Sequence, residues 1–178
     1  SFDMASKCKL TYADYNPFVE QDEHEKLAYY YIENIILRTE ILWGLLAQVC
    51  NIYWCIDEPI NRIYTRRFFE VQAKVNNIYA KRVLEYFDEP DYYDAEKNQW
   101  TGNNRYVSEF RNKMTHRGSP SVQTFSCFDI DLRAPALYVL ERAIADYVKA
   151  TEFMMEMTEE VAEKFRALIH TLQVDKDN

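Results

Sequence analysis

Residues 22–56 read DEHEKLAYYYIENIILRTEILWGLLAQVCNIYWCI. Within them Leu27, Tyr31, Ile35, Leu42, Leu46, Val49 and Tyr53 recur at steps of three, four or seven, the spacing of one buried stripe on an α-helix. Asp57-Glu58-Pro59 closes the stretch, because proline cannot continue a helix yet opens one well. A second helix is predicted from there to Phe87, with Tyr64, Phe68, Val71, Val75 and Ile78 on one face. The polar run from Pro90 to Asn104 predicts a loop that is long for a compact domain and therefore of functional interest.

A short third helix is expected over residues 104–117, stopped by Gly118 and Pro120. Residues 119–133 read as irregular, with Phe125, Phe128 and Ile130 packing against the helices. A fourth helix starts near Pro135 and places Leu137, Leu140, Ile144, Tyr147, Met154, Val161, Phe165, Leu168 and Leu172 at near-heptad spacing. This pattern predicts an all-α antiparallel four-helix bundle with irregular loops flanking the short third helix. It would span residues 21–172, after an N-terminal extension (1–20) and before a short tail (173–178).

The composition agrees. Three glycines and five prolines leave room for long elements, and a 48% hydrophobic share is far from that of a disordered chain. The net charge of −8 argues against general affinity for polyanions. The charge is uneven, however. Residues 61–82 carry Arg62, Arg66, Arg67, Lys74, Lys81 and Arg82 against Glu70, and residues 104–117 carry Arg105, Arg111, Lys113 and Arg117 against Glu109. The acidic surplus falls at residues 14–25, 88–96 and 152–163, so a local anion site is compatible with an acidic whole.

No run of 18 apolar residues is present, and the N-terminus shows no basic region followed by an apolar stretch. Neither a membrane span nor a signal peptide is expected. Cys8, Cys50, Cys55 and Cys127 have no paired spacing and read as reduced thiols of a cytoplasmic protein. The residues three before His24, His116 and His170 are Gln21, Lys113 and Ala167, which removes the Glu-x-x-His pairs a di-iron bundle needs. No zinc cluster or phosphate-binding glycine loop is visible, so no metal and no cofactor are expected. Glu25, Glu33 and Glu40 read as a solvated or interfacial face, and Met154, Met155 and Met157 as packing residues.

The chemically pointed run is Arg111-Asn112-Lys113-Met114-Thr115-His116. On a wheel of about 100° per residue with Arg111 at zero, Thr115, Ser108, Asn112 and His116 fall at roughly 40°, 60°, 100° and 140°. Val107, Phe110 and Met114 lie on the opposite side and are expected to face the core. Histidine titrates near neutral pH and transfers protons, while arginine presents a charged fork to phosphate oxygens. Asn112, one turn before His116, is placed to orient the imidazole. The set suits attack by a ribose 2′-hydroxyl on the adjacent phosphate, with Arg111 stabilising the developing charge.

An Arg-Asn-x-x-x-His run near the end of a short third helix resembles the signature of HEPN domains, helical bundles of toxin–antitoxin, abortive-infection and CRISPR systems. The resemblance implies a metal-independent endoribonuclease, active as a homodimer in which two motifs line one RNA cleft. It gives Arg111, Asn112 and His116 the catalytic roles, with Arg105, Ser108, Lys113, Thr115 and Arg117 as surrounding substrate-binding candidates. An antitoxin or a nucleotidyltransferase is the expected protein partner. The alternative is a non-catalytic module of the same fold that binds nucleotide, RNA or a partner protein. The acidic tract at 88–103 would screen RNA if it lies near the motif.

Overall fold

The structure is a computed structural model and describes residue 16 and residues 21–116, 124–125, 130–131 and 134–174. Its helices are α1 (Glu23–Tyr53), α2 (Thr65–Lys74), α3 (Ile78–Phe87), α4 (Asn103–His116) and α5 (Ala136–Val174), and the chain is mostly helical as expected. Side chains are described to Met114 in α4 and to His170 in α5. The predicted packing of Phe125, Phe128 and Ile130 therefore lies outside the described side chains, as do Cys8 and Cys127.

α1 opens on Asp22, whose carboxylate accepts the Glu25 N–H at 2.7 Å, and Glu23 and Glu25 add negative charge where the helix dipole favours it. The helix is where the periodicity puts it, but the buried stripe is rotated. Ala28, Tyr29, Ile32, Ile36, Trp43, Ala47 and Cys50 are buried with Ile35 and Leu46, whereas Leu27 is 43% exposed. Ile41, Leu45 and Ile52 also face outward, so α1 has apolar residues on both sides and its sequence spacing did not select the core face. By length and composition alone, this 31-residue helix is apolar enough to cross a membrane. A core helix passes the same test, and here one face of α1 packs on α5 and α4.

The predicted second helix is two. A 3-10 turn, Ile60–Arg62, precedes α2, and the chain breaks again between α2 and α3 without glycine or proline. Asn76 adopts a left-handed φ of 66° there. Its N–H donates to Ala73 O at 3.1 Å and that of Asn77 to Gln72 O at 3.2 Å, the paired bonds of a Schellman cap. The Asn77 side chain then accepts the Ala80 N–H at 2.9 Å and caps α3. This break resets the helical phase. Phe68, Phe69, Tyr79, Ala80, Val83, Tyr86 and Phe87 are buried, while Tyr64, Val71, Val75 and Ile78 are exposed.

The two long helices run side by side in the same direction. Tyr29 donates to Ala134 O just before α5, Trp43 donates to Asp146 farther along, and Tyr53 donates to Glu160 farther still. An alternating four-helix bundle would oppose its first and last helices, so the antiparallel expectation is corrected. α3 and α4 form the returning track, one after the other: Tyr79 meets Phe153, Tyr86 meets Asp146, and Tyr106 meets Tyr138. One core cluster joins α1, α2, α3 and α5 around Trp43, and a second joins α1, α4 and α5 around Val107 and Phe110.

α5 begins where Pro135 predicts, but its core stripe differs as well. Val139, Ala143, Asp146, Ala150, Phe153 and Met157 are buried, whereas Tyr147, Phe165 and Leu168 are exposed. Of the methionines, Met157 is core, Met154 packs beside it and Met155 is exposed. The stretch between α3 and α4 contains a small hairpin, β1 (Tyr93–Asp94) with β2 (Gln99–Trp100), and a second one pairs β3 (Thr124–Phe125) with β4 (Ile130–Asp131). The two expected irregular stretches thus each carry a short antiparallel pair.

Candidate functional site

The rotation of α4 is set at its first turn. Gly102 has a φ of 66°, and a Cβ there would lie 2.7 Å from Asp91 Cα, so glycine is required where the hairpin loop passes the helix start. Asn103 and Asn104 follow, both buried. Asn103 accepts from Arg142 of α5, and Asn104 donates to Asp146 of α5 at 3.2 Å. These bonds fix the helix so that Val107 and Phe110 are buried, as the wheel predicts.

Arg142 and Asp146 were not legible as site residues. The Arg142 guanidinium is 1% exposed and donates to Tyr138 Oη, Asp91, Thr101 O and Gly102 O at 2.6–3.1 Å, besides Asn103. It also lies 4.4 Å from the Tyr106 ring centroid. Burying a charge this deeply is tolerated only when its donors are satisfied. Asp146 accepts from Trp43 of α1, Tyr86 of α3 and Asn104 of α4 at 3.4, 3.0 and 3.2 Å. Burial pushes its carboxyl up to about 6, and the three neutral donors only partly offset this. The available signal was the 4-3-4-3-4 spacing of Val139, Ala143, Asp146, Ala150, Phe153 and Met157, with Asp146 inside an otherwise apolar stripe.

On the other side of α4, a cleft of about 400 Å³ opens between α1, α2 and the end of α3. It is lined by Arg105, Ser108, Arg111 and Asn112 of α4, by Glu40 and Trp43 of α1, and by Arg66 and Asp88. Four of the eight expected site residues are therefore brought together. Lys113 is exposed and does not line the cleft. The side chains of Thr115 and His116, the last residues of α4, lie outside those described, and Arg117 lies outside the described residues.

The cleft is not simply basic. Arg111 Nη2 lies 3.6 Å from Glu40, and Arg105 Nε donates to Glu109 at 3.2 Å. Arg66 pairs with Asp88 and donates to Glu70 at 3.1 Å; the bond to Asp88 is the first cause holding that guanidinium above its ordinary value. Glu40, expected on a solvated or interfacial face, is thus part of the cleft. Asp88, from the acidic tract between α3 and α4, borders it too, while Asp91 is turned to Arg142. Among the described residues, no three His, Cys, Asp or Glu side chains converge as a metal-ligand set. No protein-family model, no curated protein and no solved structure matches this chain.

Proposed function

We propose that the chain is a HEPN-type, metal-independent endoribonuclease that acts as a cytoplasmic homodimer in a defence, abortive-infection or toxin–antitoxin setting. The observation that carries this reading is that Arg111, Asn112, Ser108 and Arg105 line one cleft on a short helix ending at His116. With α2 and α3 counted as one broken helix, four helical units with the motif on the third agree with a HEPN-like fold. The parallel course of α1 and α5 departs from the antiparallel arrangement. In the proposed reaction His116 takes the proton of a ribose 2′-hydroxyl as its oxygen attacks the adjacent phosphorus. The bond to the 5′-oxygen breaks, leaving a 2′,3′-cyclic phosphate and a 5′-hydroxyl, and Arg111 stabilises the charge on the phosphoryl oxygens. One histidine per motif supplies one proton-transfer group, and a second subunit supplies the group that protonates the leaving oxygen.

A second reading is a non-catalytic module of the same fold that binds nucleotide, RNA or a partner protein. The observation favouring it is that Arg66, Arg105 and Arg111 each face a carboxylate at the cleft, which lowers the positive potential an RNA strand meets. Incubating the protein with mixed RNAs in EDTA separates the two. Cyclic-phosphate ends that disappear in His116→Ala and Arg111→Ala support cleavage. Intact RNA with a folded dimer assigns the chain to the binding module.

A further inference from the structure

A second cleft, also of about 400 Å³, lies on the face of α2 away from Arg66 and its contact with Asp88, against the turn that follows α1. Its walls are apolar: Ile56, Ile63, Phe68 and Val71, with the ring of Tyr64, 67% exposed, beside them. Arg62 and Arg67 border it, and Gln72 adds an amide. Among the described residues, neither Arg62 nor Arg67 makes an ion pair, in contrast to Arg66, Arg105 and Arg111 at the first cleft. One carboxylate, Glu58, also borders the cleft. Two unpaired guanidinium groups against one carboxylate leave a local positive excess on a chain of net charge −8.

The wall is preformed. The buried Asn51 donates to Glu58 O at 3.0 Å and accepts the Glu58 N–H at 3.1 Å, and Arg62 N–H donates to Pro59 O at 2.8 Å. These bonds hold the turn that carries Arg62 against the end of α1. Trp54 stacks behind Phe68 at 6.0 Å and 4° between planes, which stiffens the floor. A cleft of this size with apolar walls and a few convergent polar groups suits a small ligand. Guanidinium forks select phosphate, and an exposed aromatic ring beside them selects a planar base.

We propose that this cleft binds a nucleotide unit, its base against Tyr64 and the apolar wall and its phosphate on Arg62 and Arg67. The unit is either a free mononucleotide or one nucleotide of a single strand; the chemistry is shared. The site is separate from the Arg111 cleft and does not depend on RNA being cut there.

The test is calorimetric titration at low salt with AMP, adenosine, inorganic phosphate and an adenosine octaribonucleotide. AMP or the octamer is expected to bind, with adenosine and phosphate each weaker. Binding of AMP identifies a free nucleotide as sufficient, and octamer binding without AMP binding, weakened in the double variant below, identifies the strand as the source. Arg62→Gln with Arg67→Gln is expected to weaken binding at least about tenfold, and Tyr64→Ala to weaken it by a smaller factor. These side chains are exposed, so helical circular dichroism should be unchanged. Lys74→Gln, on α2 but lining neither cleft, should bind as the parent does, which separates the site from a general charge effect. Absence of binding by both ligands up to about 1 mM, or equal binding by the double variant, overturns the proposal.

Discussion

Arg111 on α4 and Glu40 on α1 face each other at 3.6 Å across the first cleft, about a third of each side chain remaining exposed. A partly exposed pair of this kind adds little to stability, roughly 0–1 kcal/mol. Its effect on an incoming phosphate is larger, because Glu40 repels the anion that Arg111 attracts. Glu40→Gln is therefore expected to leave the melting temperature nearly unchanged and to tighten RNA binding roughly 3- to 10-fold. Filter binding at two salt concentrations checks this. Unchanged affinity would show that Arg111 does not meet the phosphate.

Arg142 holds the loop between α3 and α4 onto α5 through Asp91, Thr101 and Gly102. Arg142→Met leaves the Asp91 carboxylate and two carbonyls without this donor and is expected to cost about 3–5 kcal/mol. Arg142→Lys should not restore the loss, since an ammonium cannot reproduce the planar fork. Urea unfolding of both variants measures the effect. A loss within about 1 kcal/mol in both would mean that the loop is held by other contacts.

Asp146 carries the pH dependence. Its folded-state carboxyl is raised from its ordinary value of 3.8 to about 6, chiefly by burial, so folding favours the protonated form. The corresponding stability is fully present below pH 3.8 and is lost as pH rises through about 6. Asp146→Asn removes this component, so the slope of stability between about pH 4 and 6 should flatten. The variant should also be less stable, by about 1–3 kcal/mol, because one amide oxygen cannot accept from Trp43, Tyr86 and Asn104 together. Denaturation midpoints across that pH range decide the matter; an unaltered slope assigns the dependence to other groups.

The break between α2 and α3 rests on two asparagines. Asn77→Ala removes the cap on Ala80 N–H and is expected to lower stability by about 1 kcal/mol. Asn76→Gly should change it by less than about 0.5 kcal/mol, because glycine adopts the left-handed φ freely. Asn76→Val should be the worst of the three, as a β-branched residue resists that conformation. Thermal melts of the three variants rank them, and a neutral Asn76→Val would show that the chain can continue as one helix.

The helices themselves were legible because their causes are local. Asp22 caps α1, Pro135 precedes α5, and apolar residues recur with helical period through both. The phase of the buried stripe was not. Leu27 and Ala28 are both compatible with helical period, and only the neighbours at α4 and α5 decide that Ala28 is the buried one. The Asn76–Asn77 break was missed because no glycine or proline marks it and asparagine is tolerated within a helix.

At the candidate site, the sequence by itself determined that Val107 and Phe110 oppose Asn112, with Arg111 at the edge of the apolar stripe, since side chains on one helix keep fixed angular relations whatever surrounds them. Tertiary structure decided what those polar residues face. Glu40 lies 71 positions before Arg111 and reaches it only because α1 and α4 pack together. Asp146 and Asn104 meet for the same reason. Charge pairing and desolvation depend on distance in space, and spacing along the chain carries no record of it.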